Sequence, residues 1–187
     1  MVGTGKGASY GILIKSAEAL ETAHKIDTVV LDKTGTITQG KPRVTDVVTM
    51  EGVEEKELIQ VAASIEKPSE HPLAEAIVEK AQEMGIVLKE ATDFNAISGR
   101  GIEASLDRES YLAGNLAFMQ ERNIDVRVIL AASERLAEAG KTPLYFAANN
   151  QLLGMIAVAD VVKPTGQAAI EQFKAMKLGV VMLTGDN

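Results

Sequence analysis

Asp32-Lys33-Thr34-Gly35-Thr36 is the stretch of this sequence best equipped for chemistry. It follows Thr28-Val-Val-Leu31, a continuous apolar run that predicts a strand covered on both faces. A carboxylate at a strand end is ionised at neutral pH, so it can attack phosphorus with no base to activate it. Its obstacle is repulsion by the phosphate, which a metal ion and neighbouring cations must offset. Gly35 allows a tight turn beneath a phosphate, and the threonine hydroxyls can donate to its oxygens. A lone Asp in such a place is usually just a turn residue; the whole pentapeptide favours the chemical reading.

A second polar cluster, Thr184-Gly185-Asp186-Asn187, ends another apolar run, Val180-Val-Met-Leu183. Two buried-type strands with polar groups at their C-terminal ends are what a ligand crevice in an α/β sheet requires. A third set of candidates lies between them. In Ser69-Glu-His-Pro-Leu73, His71 either caps the helix begun by Pro72 or binds a ligand.

The elements that must position these residues fall into two textures. Pro164–Lys177 reads as a helix with the apolar stripe Ile170, Phe173 and Met176, and Gly179 at its C-terminal cap. With the two apolar runs it forms an α/β framework. Between the runs lies an α+β module. Helical spacing covers 54–65 and 73–84, with Gly85 past the second, and 127–139, closed by Gly140. Short strands are predicted at 92–97, 102–106 and 110–113, and a hairpin at 144–148 and 152–158 around Asn149-Asn150. The glycine-rich Gly3–Gly11 reads as a loop. Its Gly-Thr-Gly-Lys-Gly does not match a P-loop, because no Ser or Thr follows Lys6.

Composition narrows the classes further. The 187 residues carry a net charge of −7, which argues against a nucleic-acid partner. There is no cysteine, so disulfides, zinc knuckles and thiol nucleophiles are excluded. Hydrophobic residues at 46% with 24% charged are ordinary for a globular chain. The longest apolar stretch, Leu152–Val162, is interrupted by Asp160 and falls short of the ~18 residues of a membrane span. Met50, Met84, Met119, Met155, Met176 and Met182 are scattered through predicted elements, which suggests core packing. Glu51, Glu54, Glu55 and Glu57 read as a solvated helix start, and His24 as solvated.

Asp32-Lys-Thr-Gly-Thr36 resembles the phosphorylation motif of the P-type ATPases, within the haloacid dehalogenase-like superfamily. The resemblance implies Asp32, Lys33, Thr34, Thr36, Thr184, Gly185 and Asp186 as the catalytic set. Asp32 and the Thr34 carbonyl would hold Mg2+, and Thr36 and Thr184 would contact phosphate. Related phosphatases carry a second Asp where this chain has Thr34, so the acyl phosphate is expected to persist. Ser-Glu-His-Pro-Leu resembles the nucleotide-domain motif of the heavy-metal-transporting branch. It implies Glu66, His71, Gly99, Gly101, Gly114 and Asn115 as an ATP site, and Asp160 with Lys163 resembles the family's hinge-side element. The wording is most similar to bacterial copper exporters.

The implied fold is a haloacid dehalogenase-like Rossmann-type phosphorylation domain, incomplete here, with an inserted α+β nucleotide-binding domain on an antiparallel sheet. Expected boundaries are 1–25 for a membrane-exit segment, 26–44 with 155–187 for the phosphorylation domain, and 45–154 for the nucleotide-binding domain. The implied cofactors are ATP and Mg2+. The implied partners are a metal ion bound by a membrane domain, and the actuator and membrane domains of the same parent, with this region on the cytoplasmic side of the cell membrane. The Gly-Asp-Gly-x-Asn-Asp and Thr-Gly-Glu motifs are absent, so phosphorylation of Asp32 in this segment is expected to be poor. The alternatives are a soluble phosphatase of the same superfamily and a non-catalytic nucleotide-binding module.

Overall fold

The computed structural model describes residues 2–183. Two short helices come first, α1 (Val2–Ser9) and α2 (Ala17–Ala23). The sheet elements begin with β1 (Thr28–Asp32), which runs through a turn at 33–37 into the long strand β2 (Thr38–Thr49). Helices α3 (Glu55–Glu66) and α4 (Pro72–Glu83) precede three strands, β3 (Thr92–Ile97), β4 (Gly101–Leu106) and β5 (Glu109–Gly114). Helices α5 (Leu116–Glu121) and α6 (Arg127–Glu138) then lead to the hairpin β6 (Thr142–Ala148) and β7 (Gln151–Val162). The last elements are α7 (Pro164–Ala175) and β8 (Gly179–Leu183).

The chain divides into two compact units: unit 1 comprises 1–38 and 162–187, and unit 2 comprises 39–161. The boundaries expected near 44/45 and 154/155 therefore fall within β2 and β7, the strands that carry the chain between units. Among the described residues no helix is long and apolar enough to cross a membrane.

Unit 2 is built on a six-stranded sheet in the order β2-β7-β6-β5-β4-β3, with the pairs from β3 through β7 antiparallel. The tight turns have chemical causes. Asp107 and Arg108, and Asn149 and Asn150, all take positive φ, the backbone that matches a two-residue hairpin to strand twist. Both sheet faces are covered. Leu58, Ile59, Ile65 and Ile77 of α3 and α4 pack on Ile102, Phe146, Ile156 and Val158. Phe118, Met119 and Ile129 of α5 and α6 pack on Tyr145, Ala147 and Met155 of the opposite face. Gly85 and Gly140 close α4 and α6 with left-handed φ of 64° and 74°.

Unit 1 pairs β1 with β8 in parallel, from Thr28 opposite Gly179 to Asp32 opposite Leu183. The strands form as expected, but the expectation that both are buried is wrong among the described residues. Val30, Val181, Met182 and Leu183 are exposed, because a two-stranded sheet offers α7 too little surface to enclose. The methionines divide only in part along the same line. Met119 and Met155 are fully buried in unit 2, whereas Met176 and Met182 in unit 1 and Met84 at the end of α4 are exposed rather than core.

Two further readings are corrected. Gly3–Gly11 is not a loop throughout, since α1 spans most of it. A Cβ on Gly3 would stand 2.7 Å from Leu20 Cδ2, and one on Gly7 2.9 Å from Ile14 Cδ1, so these two glycines face the side-chain tips of the segment that follows. The left-handed residue that ends α7 is Lys177, at φ 61°, and Gly179 already belongs to β8.

Candidate functional site

Glu66, His71, Gly99, Gly101, Gly114 and Asn115 all line one cavity of about 520 Å³ in unit 2. Their local structure explains the convergence. Glu66 is the last residue of α3, and His71 is the N-cap of α4. Gly99 lies in the β3–β4 turn, Gly101 opens β4, Gly114 ends β5, and Asn115 is the N-cap of α5. Leu73, Ile97, Ile102 and Leu144 give the cavity an apolar part to its lining. Such a surface suits a planar aromatic ring, with polar groups at the rim to orient it.

His71 caps α4 and also lines the cavity. Its Nδ1 accepts from the Leu73 N–H at 3.2 Å. An accepting Nδ1 puts the proton of the neutral ring on Nε2, which is then a donor. Asn115 is fixed at both ends of its amide: Nδ2 donates to the Gly99 carbonyl at 2.9 Å, and Oδ1 accepts from the Phe118 N–H at 2.9 Å. It thereby ties the Gly-x-Gly turn to the start of α5.

The glycines divide by cause. Gly99 has a φ of 68° and open space where a Cβ would be, so it shapes the turn and leaves its backbone accessible. A Cβ on Gly101 would stand 2.0 Å from the Ala113 carbonyl oxygen, and one on Gly114 2.4 Å from that of Arg100. These two are required by the close approach of β4 to β5 within the protein itself.

Glu66 is only 8% exposed. Burial pushes its carboxyl up from the usual 4.5 to about 7, against the opposing effect of a hydrogen bond from Ser69. A carboxyl poised there presents a donor and an acceptor together. Ser69, Arg100 and Thr142 also line the cavity and were not among the expected site residues. Ser69 and Arg100 sit inside the two motifs, so proximity was a usable signal; Thr142 carries none. Arg100 is paired with Glu121 at 2.8 Å.

In unit 1, Asp32 ends β1 with an exposed side chain, and Thr34 and Thr36 are exposed in the turn that follows. Gly35 takes a φ of 74°, which lets the turn close. The Thr38 hydroxyl braces it from inside, accepting from the Gly35 N–H at 3.2 Å and donating to the Lys33 carbonyl at 3.0 Å. Leu183, beside Asp32 in the parallel register, is the last described residue. Thr184, Gly185 and Asp186 lie outside the described residues. Among the described residues, no three His, Cys, Asp or Glu side chains are placed to hold a metal ion. For Mg2+, the exposed Asp32 carboxylate is a suitable hard oxygen donor. With one backbone carbonyl it would supply two of six ligands, in keeping with an ion that usually keeps water and phosphate oxygens for the rest.

The sequence model of the haloacid dehalogenase-like hydrolases matches residues 26–187, and the chain belongs to that family. Within it, the chain is 50% identical along its whole length to a copper-exporting P-type ATPase of Staphylococcus saprophyticus, and spans 23% of that protein. A crystal structure of a zinc-transporting PIB-type ATPase superposes on 99% of the chain with a TM-score of 0.90 and 36% identity, over 30% of that protein. The catalytic domain of the CPx-ATPase CopB-B, solved in a study of conformational changes upon nucleotide binding, matches 98% of the chain with a TM-score of 0.69 and 26% identity, over 64% of that domain. The chain thus spans about a quarter of the length of the curated relative it matches.

Proposed function

We propose that this chain is the ATP-handling region of a heavy-metal-translocating P-type ATPase whose cargo is copper(I). The observation that carries the proposal is the gathering of six motif residues, dispersed from 66 to 115, around one cavity within unit 2. The choice of copper rests on 50% identity to a copper-exporting relative, against 36% to the zinc-transporting structure. In the intact pump this region lies on the cytoplasmic side of the cell membrane, beside membrane and actuator domains of the same protein.

The adenine ring lies against the apolar side chains of Leu73, Ile97, Ile102 and Leu144. Protonated Glu66 donates to a ring nitrogen while its carbonyl oxygen accepts from the exocyclic amine. His71 donates from Nε2 to a phosphate oxygen, and the open Gly99 backbone lets the phosphates approach. Once the γ-phosphate reaches Asp32, a carboxylate oxygen bonds to phosphorus as the Pγ–O bond to ADP breaks, and ADP leaves with that electron pair. Thr36 and Thr184 hold the transferred group. Asp32 and the Thr34 carbonyl would hold Mg2+, which would supply positive charge to offset the repulsion between the carboxylate and the phosphates.

Calorimetric titration of ATP into the chain tests this reading. Binding is expected without added Mg2+, weakened roughly tenfold or more in His71→Ala through loss of a hydrogen bond to a charged group. A folded chain that takes up no ATP, or a His71→Ala variant that binds as tightly as the parent, contradicts it.

A further inference from the structure

We propose that Lys163 is a positioning residue for the Asp32 loop, fastening that loop to the point where the chain re-enters unit 1. The inference rests on reading Asp32 as the phosphoryl acceptor. The Lys163 ammonium donates to the Gly35 carbonyl at 2.5 Å, across 128 residues of sequence. Its backbone N–H donates to the Ile37 carbonyl at 2.8 Å. One residue therefore holds two carbonyls of the turn that follows the nucleophile. Gly166, one turn further on, is buried against the same place: a Cβ there would stand 3.0 Å from the Ile37 carbonyl oxygen. The first turn of α7 is seated directly on the loop.

Position in the chain gives the contact its consequence. The chain leaves unit 1 after Thr38 and returns at Val162, so Lys163 is the second residue after the return. On the unit 2 side of the same crossings, the Asp160 carboxylate accepts from the Gly40 N–H at 2.9 Å. Each connecting strand is thus joined to the other on both sides of the boundary, through Asp160 in unit 2 and Lys163 in unit 1. Any displacement carried along the returning strand arrives at Lys163, and from there at the carbonyls beside Asp32. A charge-assisted hydrogen bond of this kind is among the stronger single contacts that can fix a loop. Thr38, inside the turn, sets its shape; Lys163 sets where it stands.

The test uses Lys163→Met, which keeps length and apolar stem but removes the donor, beside Lys163→Arg, which can donate to the same carbonyl. In the 187-residue chain, the carbonyl-carbon resonance of Gly35 and the amide resonances of 34–38 are expected to move in Lys163→Met. Those of Gly99 and Asn115, and the ATP affinity, are expected to stay. In the intact pump, the rate of phosphoenzyme formation at saturating ATP is expected to fall roughly tenfold in Lys163→Met and to recover mostly in Lys163→Arg. Unchanged Gly35 resonances overturn the contact, and unchanged phosphorylation overturns the positioning role. If Lys163→Arg is as slow as Lys163→Met while both fold, the donor is not what matters and the proposal fails. Loss of ATP binding in the parent chain would instead strike the reading of unit 2 and leave the Gly35 measurement standing.

Discussion

Unit 2 covers both faces of a six-stranded sheet, with α3 and α4 on one side and α5 and α6 on the other, whereas the two strands of unit 1 stand largely in water. The two regions hold their functional groups by different means. Around the cavity, Glu66, His71 and Asn115 sit at ends of helices packed into the cores on the two faces of the sheet, so packing sets their geometry. Around Asp32, the described residues provide hydrogen bonds instead, from Thr38 and Lys163 to the turn's own backbone. A site of the first kind depends on its unit alone. A site of the second kind is set by hydrogen bonds to the backbone of its own turn.

Matched substitutions test that contrast most severely. Met155 is fully buried in unit 2 and Met182 is 53% exposed in unit 1. Met155→Ala is expected to lower stability by about 2–5 kcal/mol in urea unfolding followed by a probe in unit 2. Met182→Ala is expected to change it by less than about 0.5 kcal/mol. Equal losses at the two positions would dissolve the distinction between the units.

A pH series sharpens the comparison next. The Glu66 carboxyl is raised from 4.5 to about 7 in the folded chain, so the folded state binds the proton more tightly than the unfolded state. Its contribution is fully present below about pH 4.5 and is lost as pH rises through about 7, a decline of up to roughly 3 kcal/mol. Glu66→Gln, neutral throughout, should flatten that part of the stability–pH curve. A slope that persists unchanged in the variant assigns it to another group.

Smaller effects separate the glycines and the cap. Gly101→Ala drives a Cβ into backbone and should cost about 3 kcal/mol. Gly99→Ala meets open space and should cost only the left-handed backbone penalty of about 1–2 kcal/mol. The order of the two, read by chemical denaturation, decides whether Gly101 is held by packing. His71→Ala removes the cap on α4 and should lower stability by about 1 kcal/mol, with the loss of ATP affinity as a separate readout.

Much of unit 2 was legible in the sequence because its signals are local. Asn149-Asn150, Gly85 and Gly140 stand where backbone geometry demands them, and the helices follow their apolar spacing. Strand β2 was missed because Gly40 and Pro42 interrupt it and Lys41 and Arg43 alternate through it. It lies at the edge of the sheet, where such residues are tolerated. Helix α5 was missed because it is only six residues long, and its cap, Asn115, was read for its ligand chemistry alone. The bare faces of β1 and β8 were illegible for a general reason: an apolar run shows that a strand can be covered, not what covers it. In the candidate site, six residues were named from linear motifs, but the packing cause of Gly101 and Gly114, and the presence of Thr142, required the strands to be brought together. Lys163 was marked with Asp160 as resembling a hinge-side element, but its contact with Gly35 spans 128 residues, which no local pattern encodes.

The central claim is that unit 2 holds the nucleotide by itself. The most direct test is ATP titration into residues 39–161 alone, beside the whole chain. The account predicts a cooperatively folding piece that binds ATP within about twofold of the whole chain, less than 0.5 kcal/mol apart. A folded piece that binds ATP tenfold more weakly, or not at all, while the whole chain binds it, would contradict the account and place part of the site outside unit 2.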